Sequence, residues 1–158
     1  MKEVVLTRID DRLIHGQVIT AWVRVTKANR ILIVDNDVAA DPFLTKVLKM
    51  ASPPGMEVKI LDVYNAIEYL KEDNDVKEKI VLLVKTPDTV YKLQEGGVSL
   101  KEVNLGGMGA RVGRKKLYKN ISISDEEREI LKKIIESGTK VYIKIVPDDK
   151  EIIVEDLL

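Results

Sequence analysis

The sequence has no cysteine, one histidine, one tryptophan and one phenylalanine in 158 residues. Without cysteine there can be no disulfide, no thiolate nucleophile and no Cys-ligated metal. One histidine alone cannot make an ordinary zinc site, so no metal is expected. Neither sign of charge is in excess: Lys+Arg and Asp+Glu both number 26. The basic surplus that usually marks nonspecific nucleic-acid binding is therefore missing, and no nucleic-acid partner is expected. No apolar run approaches the roughly 20 residues that cross a bilayer. The opening Met1-Lys2-Glu3-Val4-Val5-Leu6 is too short in its apolar part for a signal peptide. These absences lead to the expectation of a cytoplasmic protein without direct membrane insertion.

What is present is globular: 45% apolar and 33% charged residues, in a length suited to one domain over 1–158. Short β-branched runs at 3–8, 31–36, 57–61, 79–85, 102–105, 120–123 and 140–146 read as strands. Two of them, Ile-Leu-Ile-Val and Ile-Val-Leu-Leu-Val, are apolar without a break, as central strands covered on both faces should be. Helix punctuation lies between the runs. Asp41-Pro42 and Thr86-Pro87 fit an N-cap followed by proline, and Ser124 with Glu127 fits a capping box. Gly96-Gly97 and Gly138 stop helices. The alternation predicts a three-layer α/β/α fold with a mostly parallel central sheet of about six or seven strands. Ligands of such sheets bind at the carboxyl ends of strands. With Arg8 ending the first strand and 9–15 forming the next loop, His15 falls on that edge. Lys85, Thr86, Gly106 and Gly107 follow later strands and can border the same site.

The lone imidazole is the candidate nucleophile, since its ordinary pKa of about 6.5 suits chemistry near neutral pH. Arg8 and Arg12 stand upstream of it and Gly16 follows directly. A phosphoryl group held on imidazole needs cationic forks and backbone N–H donors. The two arginines would supply the forks; Gly16 and the start of a helix near 15–17 would supply the N–H groups. Asp10 or Asp11 would accept a hydrogen bond from the other ring nitrogen and fix the tautomer. As a plainer alternative, His15 is a helix-start residue and Asp-Asp-Arg a solvated turn.

The segment Arg8-Ile9-Asp10-Asp11-Arg12-Leu13-Ile14-His15-Gly16-Gln17-Val18 resembles the active-site signature of a bacterial enzyme family. The family is the IIB component of the mannose/sorbose class of the phosphoenolpyruvate-dependent sugar phosphotransferase system. The resemblance extends over nearly the whole chain. It takes in Trp22, Ile33-Val34-Asp35-Asn36-Asp37, Ala40-Asp41, Pro54-Gly55, Lys85-Thr86-Pro87, Asn104-Leu105-Gly106-Gly107-Met108 and Val146-Pro147-Asp148-Asp149. It implies a phosphocarrier without cofactor. His15 would accept phosphate from a IIA phosphohistidine, with the phosphate on Nδ1, and pass it to a sugar held by a IIC/IID membrane permease. Arg8 and Arg12 match the family's loop arginines, and the protein would associate peripherally with the transporter. The length suits a free-standing IIB domain with no IIA domain fused to it. Asn36 stands where an acid is more usual, and Arg111-Val112-Gly113-Arg114 is unusually basic.

Other readings are weaker. Gly106-Gly107-Met108-Gly109 lacks the Gly-x-Gly-x-x-Gly spacing of a dinucleotide loop. A histidine-phosphatase reading needs arginine directly before the histidine, where Ile14 stands, and a second histidine. The competing class is a non-enzymatic regulatory or binding module that recognises a phosphorylated partner and is never itself modified.

Overall fold

Apolar runs with charged ends fold as buried strands. In chain order the computed structural model, which describes residues 1–158, contains β1 (Lys2–Asp10), α1 (Gly16–Thr26), β2 (Arg30–Val34), α2 (Asn36–Ala39), α3 (Pro42–Met50), β3 (Glu57–Leu61), α4 (Val63–Lys71), β4 (Glu78–Val84) and α5 (Pro87–Glu95). There follow β5 (Glu102–Gly107), β6 (Lys115–Tyr118), β7 (Ile121–Ile123), α6 (Asp125–Glu136), β8 (Lys140–Ile143), β9 (Ile152–Ile153) and a 3-10 turn at Val154–Leu157.

Seven strands form one sheet in the order β3-β2-β4-β1-β5-β8-β9, with every pairing parallel except the last. This is the expected mostly parallel α/β/α architecture. Side chains 31–34 of β2 and 80–84 of β4 are all fully buried, which is why those runs are apolar without alternation. Alternate residues go to opposite faces. Leu32, Val34, Ile80, Leu82 and Val84 join the larger core, against which α4, α5 and α6 pack. Ile31, Ile33, Val81 and Leu83 join the smaller one, closed by Ile19 and Trp22 of α1 and Val38 of α2.

The connections explain where a site can form. The chain leaves β1 through α1 on one face, and leaves the neighbouring β4 through α5 on the other. Crossovers thus diverge at the carboxyl ends of β1 and β4, the position at which open parallel sheets leave a crevice.

Several boundaries differ from those read in the sequence. Strand β1 continues through Asp10 rather than ending at Arg8, because both charged side chains are buried and pair with each other. The 31–36 run stops at Val34, since Asp35 caps α2 by accepting from Val38 N. The 140–146 run stops at Ile143. Beyond it, Ile145 and Val146 N–H groups bond to the Asp149 carboxylate, and the Lys144 and Ile145 carbonyls accept from side chains. The 120–123 run is a strand, but it forms a hairpin with β6 outside the main sheet. The seventh main-sheet strand is instead the two-residue β9.

Leu82 is fully buried at the middle of β4. Leu82→Ala should cost about 3 kcal/mol of unfolding free energy, within the range for buried leucines. Urea denaturation tests this, and a loss below about 1 kcal/mol would show that burial at the sheet centre does not carry the stability assigned to it.

Candidate functional site

Asp10 ends β1 with its side chain fully buried. Its Oδ1 accepts from the Arg12 backbone N–H at 3.1 Å and from Arg12 Nε at 3.0 Å. Its Oδ2 accepts from Arg12 Nη2 and Arg8 Nη2, each at 3.1 Å, and lies 3.0 Å from His15 Nε2. Burial alone would push this carboxyl up. The Arg12 side-chain and backbone bonds, the Arg8 charge and the His15 bond outweigh it and hold Asp10 below the ordinary aspartate value. The same contact draws the Arg12 guanidinium above its usual value.

The loop shape brings the imidazole back to that carboxylate. Leu13 N–H bonds to Asp10 carbonyl at 2.9 Å, and Leu13 adopts φ 59°. A left-handed non-glycine residue costs roughly 1–2 kcal/mol. Burial of the Leu13 side chain in the α1 core, about 1.5–3 kcal/mol for a leucine, offsets it. His15 then takes the N-cap position of α1 but makes no capping bond; its ring turns to Asp10 instead. Gly16 opens the helix at φ +48°, a conformation glycine adopts without strain. The first-turn N–H groups of α1 therefore have no side-chain partner from the cap.

The two arginines occupy different environments. The Arg12 side chain is 49% exposed, and its Nη1 makes no hydrogen bond within the protein. Arg8 is 1% exposed. Its Nη1 donates to Asn104 Oδ1 at 2.6 Å and to the Lys144 carbonyl at 3.0 Å, its Nη2 to Asp10, and its Cζ lies 5.6 Å from the centre of the Trp22 ring. Burial lowers the Arg8 guanidinium below its ordinary value against the pull of Asp10. The sequence expects Arg8 to grip a phosphate; here its two Nη groups bond to Asn104, the Lys144 carbonyl and Asp10 inside the protein.

Of the edge residues expected from the sequence, Gly106 and Gly107 come directly against the cluster. A Cβ on Gly106 would sit 2.1 Å from Arg8 Cζ, and one on Gly107 would sit 3.0 Å from Asp10 Oδ1. Lys85 and Thr86 instead line a neighbouring cleft of about 350 Å³ with Asp35, Asn36, Asp37 and Arg111. A larger hollow of about 510 Å³ lies at the other end of the strands, around Lys2 and Glu102. Its lining has no histidine and none of the residues gathered around Asp10. No group of three or more His, Asp or Glu side chains is arranged to hold a metal.

Asn104 was not singled out as a site residue from the sequence. The signal available was an amide inside an otherwise apolar strand run, Val103-Asn104-Leu105. Asp11 does not touch the imidazole. Its Oδ2 accepts from Gly109 N–H at 2.8 Å and lies 3.8 Å from Arg114. Arg114 in turn donates from Nη1 to the Gly109 carbonyl at 2.8 Å and makes a two-pronged pair with Glu127 at 2.9 and 2.8 Å. The basic loop thus fastens the glycine-rich segment beside His15 onto α6.

An imidazole held against a buried carboxylate at the divergence point of a parallel sheet is a candidate site for chemistry through histidine. Comparison with known proteins agrees with that reading. Residues 4–158 match the family model described as PTS system sorbose subfamily IIB component. The PTS system sorbose-specific EIIB component of Lacticaseibacillus casei is 36% identical over 146 residues, covering 92% of this chain and 89% of that protein. The PTS system mannose-specific EIIAB component of Escherichia coli (strain K12) is also 36% identical, over 97% of this chain but 47% of its own length. The chain thus spans about half of that relative. The crystal structure of the IIBSor domain of the sorbose permease from Klebsiella pneumoniae superposes with a TM-score of 0.94 at 33% identity, covering 98% of this chain and 94% of that one. The chain belongs to the IIB component family of the mannose/sorbose class of the phosphotransferase system.

The Glu127 pair gives a pH test of how the loop is anchored. Burial pushes the Glu127 carboxyl up, but the Arg114 and Ser124 bonds outweigh it and hold it below the ordinary value. A folded-state pKa below the unfolded one adds stability above the unfolded pKa, and that stability is lost as pH falls through the folded value. Glu127→Gln should therefore be less stable than wild type at neutral pH, with the gap closing as pH drops below about 4.3, the ordinary glutamate value. Urea midpoints at several pH values measure it; a constant gap would show that the ion pair contributes nothing.

Proposed function

We propose that residues 1–158 act as one phosphocarrier domain. His15 accepts a phosphoryl group from a IIA phosphohistidine and donates it to a sugar translocated by a IIC/IID membrane complex. The single observation that carries this reading is the contact between Asp10 Oδ2 and His15 Nε2. Asp10 is held ionised and can only accept, so the neutral ring donates from Nε2 and keeps its lone pair on Nδ1.

In the first transfer, Nδ1 bonds to the donor's phosphorus. The donor's P–N bond breaks and its electron pair returns to the donor ring. The His15 ring gains positive charge while retaining the Nε2 proton, and the Asp10 carboxylate beside it stabilises that charge. Arg12, with an uncommitted Nη1 and half its side chain in solvent, is the cation that meets the phosphoryl oxygens. The first-turn N–H groups of α1 after Gly16 face the same charge. Arg8 holds Asp10 in place. In the second transfer a sugar hydroxyl oxygen bonds to phosphorus, the P–N pair returns to Nδ1 and the hydroxyl proton is released. Phosphoryl transfer needs little beyond such positioning and charge stabilisation.

No helix is long and apolar enough to cross a membrane. The carrier in this reading works in the cytoplasm, bound peripherally to its permease. Lys85 and Thr86 border the face on which partners would dock.

The first test is intact-protein mass spectrometry after incubation with phosphoenolpyruvate, the general phosphotransferase proteins and a mannose-class IIA. One acid-labile phosphoryl group on wild type and none on a folded His15→Gln variant is expected. A phosphorylated His15→Gln protein sinks the assignment of the nucleophile, and no added mass on wild type favours the binding-module reading. In the same assay Arg12→Ala should slow transfer by about 100-fold, the usual scale for losing one charge-stabilising donor; unchanged rates would remove Arg12 from the site.

A further inference from the structure

Arg8 presents a problem that the phosphotransfer chemistry does not solve by itself. It is a guanidinium with 1% exposure, and a buried cation is stable only if its donors are met. Asp10 meets one side of the fork. The other side is met by two neutral acceptors, Asn104 Oδ1 and the Lys144 carbonyl.

Asn104 is itself fully buried, and its orientation is fixed by its partners. Arg8 has only donors to offer, so the amide oxygen must face Arg8. The amide nitrogen then faces the Lys144 carbonyl, to which Nδ2 donates at 3.1 Å. Sheet pairing puts the two residues side by side, with Arg8 of β1 in register with Asn104 of β5. Gly106, two residues further along β5, leaves the space that the guanidinium fills. An unbroken chain of hydrogen bonds therefore runs from Asn104 to Arg8 at 2.6 Å, from Arg8 to Asp10 at 3.1 Å and on to His15 at 3.0 Å.

We infer that Asn104 is a positioning residue for phosphotransfer: it locks Arg8, so that Asp10 Oδ2 stays on His15 Nε2 and the free ring nitrogen remains Nδ1. The inference rests on the reading of His15 as phosphoryl acceptor. Asn104 touches neither the imidazole nor Arg12, and its effect reaches the ring only through Arg8 and Asp10. Without it, Arg8 Nη1 loses its shortest bond and the Lys144 carbonyl loses one of its two donors. That side of the fork is then held by the Lys144 carbonyl alone, so Arg8 no longer fixes Oδ2 against Nε2 and Arg12 is left as its only guanidinium partner in place. Gly106→Ala reaches the same end by another route, since its methyl would occupy the guanidinium's place without altering any polar group.

The experiment uses the full chain. Asn104→Ala and Gly106→Ala are compared with wild type by 15N NMR of the His15 ring at about pH 8.5, some two units above an ordinary imidazole pKa. They are also compared by steady-state transfer from a phosphorylated IIA donor. Asn104→Ser, whose hydroxyl and a water can fill the space, replaces Asn104→Ala if the latter does not melt cooperatively. Wild type should show one bare and one protonated ring nitrogen, widely separated, assigned to Nδ1 and Nε2. In the variants the two signals should move together as tautomers exchange, and kcat should fall by about 10- to 100-fold, the scale of misplacement by an ångström or less. KM for the donor should stay within about twofold, because the docking surface is untouched. Folded variants that keep the wild-type ring signals and kcat would overturn the inference. A wild type that shows the fixed tautomer but takes no phosphate would overturn the carrier reading instead, and a fixed tautomer lost in the variants would still show that Asn104 sets it.

Discussion

The buried Asp10 carboxylate is the interaction on which the rest of the site depends. Moving a carboxylate out of water costs on the order of several kcal/mol unless charge and hydrogen bonds replace the lost hydration. Asp10 is fully buried and stays ionised because Arg8, Arg12, a backbone N–H and the imidazole converge on its two oxygens. Each partner imposes a local requirement. Arg8 needs Gly106 and Asn104. Arg12 lies against Gly107, where a side chain would crowd it. His15 needs the left-handed turn at Leu13 to fold back. A loop that by composition is merely polar is thereby made rigid.

That rigidity is inherited from the sheet. Strands β2 and β4 are covered on both faces by two cores that take alternate side chains, and β1 is clamped between β4 and β5. The charged cluster sits where the crossovers from β1 and β4 part to opposite faces, so loops can converge there without competing for space with a helix. Electrostatic stabilisation of a transferred phosphoryl group depends on charges already in place before the reaction. Here they are anchored to backbone positions set by strand register.

Much of this was legible in the sequence. The unbroken apolar runs of β2 and β4, the Asp41 and Ser124 caps and the glycine stops at Gly97 and Gly138 are local signals, and each decides its element without tertiary help. The neighbourhood of His15, Asp10 and Arg12 was legible for the same reason, since all lie close together at the end of β1 and in the loop after it. What failed were features set by distant partners. Arg8 reads as a strand-end arginine able to hold a phosphate until Asn104 and Lys144, 96 and 136 residues away, are known to receive it. Asn104 reads as a weak spot in a strand until Arg8 stands opposite. The end of the 140–146 run depends on Asp149 taking the backbone N–H groups, and β9 is too short for any periodicity to reveal. Pairing across the chain decided these, and composition does not encode pairing.

The most direct measurement is the position of the phosphorus on the His15 ring, read by long-range 1H–15N correlation and phosphorus coupling in ring-15N-labelled protein phosphorylated by its donor. The Asp10 contact predicts phosphorus on Nδ1 with the proton retained on Nε2. Phosphorus on Nε2 would require Asp10 to leave the ring, and would contradict the central role given to that carboxylate.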